Sequence, residues 1–332
     1  MRFSRGSGLL FLVFVLWWQG VQAAGFRKYA GEFMAIDVSP RAQAMGGAYG
    51  AVVSDVTAGF YNPAALAQVK QTQVAFMHTW QFANFINYDY VGFARPLAYG
   101  KTLGLALIRL GVDNIKDTRA ALVGSGEGDF RLDLSKVRQF NAADYVLFIS
   151  LGQQVSSRLL LGINAKFIRR NLADHSANGL GFDAAALFTV SPRFRVSAML
   201  RNITSTLIAW DTGEKELVRP TMSLGSAYVF DVPGMPARFT PSFELLVRTE
   251  TLPNLDNGGS GFNNSGIFTG IAGGELLIQD VLAFRAGVDE LQRASFGVGL
   301  HIPHLFVDYS FTSFDQELGN SHRVGLVINF GS

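Results

Sequence analysis

The chain carries 28 Lys and Arg against 26 Asp and Glu across 332 residues, and no cysteine. Without cysteine there is no disulfide framework, no thiolate metal site and no cysteine nucleophile, and the near-balanced charge lacks the electrostatic footprint of a nucleic-acid binder. A mean hydropathy of +0.21, with 28 Phe and 36 Gly, demands a place for much apolar surface.

Arg2 and Arg5 precede the apolar run Leu9 to Trp18, and Val21-Gln22-Ala23 offers the small residues that a signal peptidase reads, so residues 1–23 read as a signal peptide. The run is well short of the roughly 20 apolar residues needed to span a bilayer as a helix. Residues 24–71 follow, too short for a core of their own, yet rich in Phe33, Met34, Ile36, Tyr49, Phe60, Tyr61 and Leu66. Ser39-Pro40 offers a cap and a first-turn proline, Gly46-Gly47 a stop, and Asn62 a cap for a turn starting at Pro63. Proline also forces Asn62 into an extended conformation.

From Thr72 onward the sequence divides into fourteen segments separated by turn chemistry: 72–80, 86–96, 101–111, 142–155, 158–170, 179–191, 193–203, 220–231, 237–249, 266–279, 281–290, 293–302, 304–313 and 321–330. Their period is two. Leu159, Leu161, Ile163, Ala165 and Phe167 share one face, against Gly162, Asn164 and Lys166 on the other. Leu180, Phe182, Ala184, Ala186, Phe188 and Val190 oppose Gly179, Gly181 and Asp183. Connections after even-numbered segments are short, as at Ser156-Ser157 and Pro303, whereas Val112 to Asn141, Thr204 to Arg219 and Glu250 to Ser265 are long. That sorting fits a membrane barrel with tight periplasmic turns and long outer loops, both chain ends being periplasmic.

The fold expected is therefore an all-β, 14-stranded antiparallel outer-membrane β-barrel over residues 72–332, with residues 24–71 as a plug of short helical turns. Only a closed sheet or a helix satisfies every backbone polar group in hydrocarbon. Lys166, Asp183, Arg195, Arg201, Glu244 and Arg323 fall on the polar, lumen-facing side of their segments. Lys166 and Asp183 are equidistant from a loop centred near residues 174 and 175, which sets them opposite each other across the ladder as a lumenal ion pair; the equal alternative is that each charge simply meets water or the plug. Arg109 breaks the pattern, continuing the face of Leu103, Leu105 and Leu107; it is assigned to the headgroup level or to a bulge. In the last segment Arg323, Gly325, Ile328 and Phe330 resemble the terminal-strand signal read by outer-membrane assembly machinery.

The segment AGEFMAIDVSPRAQAMGGAYGAVVSDVTAGFYNPAALAQV resembles the N-terminal signature of the PorV/PorQ group, within the FadL-like (OmpP1/FadL/TodX) transporter superfamily. The similarity continues in LGINAKFIRR, in Gly181-Phe182-Asp183 and in SAMLRNIT. It implies a plug carrying an Asn-Pro-Ala motif, here Asn62, Pro63 and Ala64, ahead of a fourteen-stranded barrel in the outer membrane. The implied role is a conduit for small hydrophobic compounds or a shuttle for proteins of the type IX secretion machinery. The alternative from another class is a non-transporting structural or adhesive surface barrel. Expected partners are outer-membrane lipid, the assembly machinery, and hydrophobic small molecules or type IX components, with no nucleic acid.

No catalytic residue, metal ligand set or cofactor site is expected. HSANG, from His175, superficially resembles a phospholipase motif, but it reads as a loop, and His175 and Ser176 would fall on opposite faces of a strand. His78, His175, His301, His304 and His322 lack zinc-ligand spacing; His301 and His304 read as periplasmic surface residues. GSGEG and NGGSGFNNSG read as flexible outer loops, with Asp256 the sole carboxylate of a calcium-like stretch over 254–265.

Overall fold

The computed structural model describes residues 31–81, 86–123, 131–253, 262–313 and 320–331. The expected signal peptide, GSGEG and Asp256 lie outside them. Fourteen antiparallel strands close into a barrel. They are β1 (Thr72–Gln81), β2 (Ile86–Pro96), β3 (Lys101–Asp117), β4 (Arg138–Gln154), β5 (Leu159–Leu172), β6 (His175–Ser191), β7 (Phe194–Arg201), β8 (Thr221–Tyr228), β9 (Ala237–Pro253), β10 (Phe262–Ile278), β11 (Leu282–Val288), β12 (Ala294–Ile302), β13 (Leu305–Thr312) and β14 (Ser321–Phe330). Closure comes from β14 pairing with β1, from Thr72 opposite Phe330 to Trp80 opposite His322. No described helix is long and apolar enough to cross a membrane.

The two-residue period sorts the faces. Leu161, Ile163, Phe167, Leu180, Phe182 and Phe188 are exposed on the outside, whereas Asn164, Lys166 and Asp183 are buried within. Several strands run beyond their sequence-based ends, because β3 and β4 keep pairing up to Asp117 and Arg138 across a bulge between Val112 and Ile115. Arg109 lies on the outer face below that bulge, 3.5 Å from Asp89 and 3.4 Å from Asp113.

The stretch between β7 and β8 was expected to be a plain loop. It instead folds as a hairpin, Thr206–Trp210 with Lys215–Val218, whose first strand pairs with the top of β6. β7 is short, and the hairpin supplies the ladder partners that the longer β6 would otherwise lack. HSANG is likewise strand, since His175 opens β6.

Residues 31–71 occupy the lumen. Short helical turns form at Glu32–Ala35, Pro40–Ala44, Ala58–Tyr61 and Pro63–Gln68. Val38, Ala42, Met45, Tyr49, Val53, Phe60, Ala65 and Leu66 are buried against the inner wall. Pro40 opens its helix without a side-chain bond from Ser39, and Gly46 and Gly47 end it with positive φ.

Candidate functional site: the inner segment and the wall it seals

Asn62 organises the inner segment. Its backbone is extended (φ −161°), its Oδ1 accepts the Ala64 amide at 3.1 Å, and Pro63 starts the helix. Its Nδ2 donates to the Gly50 carbonyl at 3.0 Å and to the Ala186 carbonyl of β6 at 3.3 Å. One amide thus ties a helix start, a second turn of the inner segment and the barrel wall together. The helix that follows lies against β3 to β6. Close approach requires glycine there: a Cβ on Gly162 would stand 2.1 Å from the Ala64 nitrogen.

On the opposite wall the Pro40–Ala44 helix faces β11 to β14, and a Cβ on Gly287 would stand 2.2 Å from the Met45 carbonyl carbon. Arg41 reaches from this helix to Glu275, with Nε and Nη2 each 2.7 Å from a carboxylate oxygen. Glu275 also accepts from Arg285 Nε at 2.6 Å, and Arg285 Nη1 reaches Asp308 at 2.7 Å. Charges therefore alternate along a buried chain, which satisfies each ion by its neighbours. Sequence reading did not single out Glu275, Arg285 and Asp308, although each sits on the polar face of its segment. His301 belongs beside this chain, 3.4 Å from Arg285, rather than on the surface; His304 does occupy the exposed turn. Nearer the centre, Asp37 accepts from the Tyr61 hydroxyl at 3.0 Å. Burial, partly offset by Arg323 and by that hydroxyl, pushes its carboxyl above its ordinary value.

The other sequence-selected residues distribute around the lumen. Lys166 and Asp183 lie 2.7 Å apart, but diagonally: the ladder closes at Leu172–His175 around Ala173 (φ 53°), which sets Lys166 opposite Gly181 and Asp183 opposite Asn164. Arg195 donates to Gln68 at 3.2 Å, and the Arg201 guanidinium stands 4.9 Å over the Phe60 ring. Glu244 accepts the amides of Tyr49 (3.2 Å) and Gly50 (3.0 Å). Arg323 is buried with Nε 2.8 Å from Thr79, Gly325 lies against Pro40, and Ile328 and Phe330 point outward.

These contacts back a distinct patch of wall. On its outer face a groove of about 460 Å³ is lined by Ala186, Phe188, Val196, Ala198, Phe243 and Leu245, with Ser197 and Gly225 at its base. The ladder is continuous, Ser197 pairing with Gly225 and Gly225 with Glu244. Register slips nearby, between Thr189 and Ser191. A Cβ on Gly225 would lie 3.5 Å from the Ala51 nitrogen, so one thin layer of small residues separates the outer groove from the turn that Asn62 and Glu244 hold. Among the described residues no three His, Asp or Glu side chains are grouped so as to hold a metal ion.

No protein-family model matches the sequence, and no curated protein sequence matches it. Solved structures do resemble it. The P. putida toluene transporter TodX superposes with TM-score 0.56 at 10% identity, over 89% of this chain and 100% of that one. The CymD monoaromatic hydrocarbon channel gives 0.54 at 13%, over 93% and 100%. A Pseudomonas aeruginosa FadL homologue gives 0.52 at 13%, over 89% and 98%. At such identities the likeness is one of fold, that of FadL- and TodX-type outer-membrane barrels.

Proposed function

We propose that this protein passes small apolar molecules across the outer membrane, and that they leave the lumen for the bilayer through the wall between β6 and β9. The observation that carries this reading is the apolar groove backed by Ser197, Gly225 and the clasped turn at Gly50. Outside lies a small-molecule-sized, almost wholly apolar hollow; inside lies a segment held by a few hydrogen bonds, whose shift would expose the smallest side chains of the wall. The transport chemistry named for TodX and CymD supports the same substrate class. The PorV/PorQ likeness of the N-terminal segment points instead to traffic in secreted proteins, and it serves as the competing outcome.

The test is flux of a radiolabelled monoaromatic hydrocarbon into proteoliposomes, with the groove filled by Ala198→Phe or Ser226→Phe. Flux above that of empty liposomes, reduced by either substitution, is expected. A deletion strain that takes up hydrocarbons normally but loses surface proteins would overturn the reading in favour of the secretion shuttle. One unchanged in both respects would favour a structural or adhesive barrel.

A further inference from the structure

The outer face of β1 to β6 carries two rows of residues that follow the ladder from strand to strand. In the first, Phe76, Val91, Leu107, Leu147, Phe167 and Leu180 are successive partners, and all are large, apolar and exposed. In the second, two residues nearer the loop end, the partners are His78, Asp89, Arg109, Tyr145, Arg169 and Asn178, every one polar. His78 Nδ1 lies 2.6 Å from Asp89, Arg109 lies 3.5 Å from Asp89, and Arg169 donates to Asn178 at 3.0 Å. The boundary between hydrocarbon-compatible and water-compatible surface is two residues wide, a single position on the outer face.

That boundary is not level. On β2 the outward residues below Asp89 are Val91 and Phe93, and Arg95 follows at once; on β3 Leu103 to Leu107 separate Arg109 from Lys101. On β5 the apolar face runs from Phe167 to Leu159, and on β6 from Leu180 to Val190. With strands rising about 3.3 Å per residue and tilted about 40°, the charged residues Asp89 and Arg95 stand only about 15 Å apart along the barrel axis at β2, whereas the apolar residues Leu180 to Val190 alone span about 25 Å at β6, the height of the apolar band of an ordinary barrel. An outward charge is costly at the bilayer midplane and nearly free at headgroup level, whereas thinning a bilayer costs little per ångström. Lipid headgroups therefore move to the charges.

We propose that the His78–Asp89–Arg109 flank is a lipid-headgroup docking surface, at which the leaflet on the loop side is drawn inward and the bilayer narrows along β1 to β3. Arg169 offers donors to headgroup phosphates, and so does Arg109 beyond its longer contacts with Asp89 at 3.5 Å and Asp113 at 3.4 Å; Asp89 lies between His78 and Arg109. The proposal rests on the barrel spanning a membrane and is independent of what the barrel transports.

The native chain has no cysteine, so single labels are readily placed. Phe76→Cys and Leu180→Cys, each carrying a fluorophore, are reconstituted in phosphatidylcholine vesicles with bromine at shallow or deep acyl positions. Shallow bromines are expected to quench both labels best, although Phe76 lies much closer to the turn end. Deep bromines quenching the Phe76→Cys label best would overturn the proposal. Protection of that label at both depths, with dimers in native mass spectrometry, would overturn it in favour of contact between copies. In the His78→Leu/Asp89→Leu/Arg109→Leu background, checked for the heat-resistant folded band, the Phe76→Cys maximum is expected to move to the deep position; an unmoved maximum counts against the proposal.

Discussion

Lys166 Nζ lies 2.7 Å from Asp183 Oδ1, and the same Asp183 oxygen accepts the Asn202 amide at 2.8 Å. Lys166 also reaches Asn202 Oδ1 at 2.5 Å, which in turn accepts from Thr206, the first residue of the hairpin between β7 and β8. The pair is thus the root of a buried network joining β5, β6, the end of β7 and the hairpin. Removing one partner strands a buried charge, at a cost of about 3–5 kcal/mol. Lys166→Met and Asp183→Asn should each lower the urea midpoint in micelles. The double variant should recover part of the loss, and strictly additive losses would deny the coupling.

Asn62 acts through both ends of its amide, so two substitutions separate its roles. Asn62→Ala removes the cap and both donors, at about 1 kcal/mol for the cap alone. Asn62→Asp keeps the acceptor for Ala64 but sets a carboxylate against the Gly50 and Ala186 carbonyls. Hydrogen exchange at the Gly50 and Ala51 amides should accelerate more in Asn62→Asp than in Asn62→Ala. The reverse order would make capping the whole of the residue's role.

Gly162 marks how closely the inner segment meets the wall. A methyl group there has no room against the Ala64 nitrogen, which is backbone and cannot swing aside. Gly162→Ala should lift the Pro63–Gln68 helix from β5 and raise ion conductance in planar bilayers. Unchanged conductance in a correctly folded variant would mean that the helix does not obstruct the lumen.

The strands were legible because lipid imposes a rule on alternate residues that survives any register: Ile163 and Phe182 must face out whatever stands opposite them. Register was not legible. It turns on whether the chain reverses at Ala173 or one residue later, a local backbone preference that the flanking pattern does not encode. The hairpin between β7 and β8 was hidden for a related reason, since Leu207 and Ile208 gain their meaning only beside the loop end of β6. In the inner segment, Asn62 and Pro63 announce a cap by their own chemistry. The partnership of Arg41 with Glu275 joins residues far apart in sequence, and only the closed barrel brings them together.

Glu275 stands between Arg41 and Arg285, and that order makes the two ends of the contact unequal. Glu275→Gln leaves two guanidinium groups facing each other in a buried site, whereas Arg41→Gln leaves Glu275 still paired with Arg285. The first should lower thermal stability more, with a loss of about 3–5 kcal/mol by the measure of broken buried pairs. Equal shifts in the melting temperatures of the two variants would show that the three charges do not act as a chain.

Asp211, at the tip of the hairpin between β7 and β8, accepts the Ser176 amide at 2.8 Å and lies 3.2 Å from the His175 ring. The backbone bond from Ser176 foremost, then the His175 ring, hold its carboxyl below the ordinary 3.8. A carboxylate depressed by folding contributes stability that is complete above its unfolded value and disappears as pH falls through the folded one. Protection of the Ser176 amide should therefore persist from neutral pH to the ordinary carboxylate range and fail only below it, and Asp211→Asn should remove the pH dependence. A pH dependence of that protection that survives in Asp211→Asn would instead assign the clasp to another group.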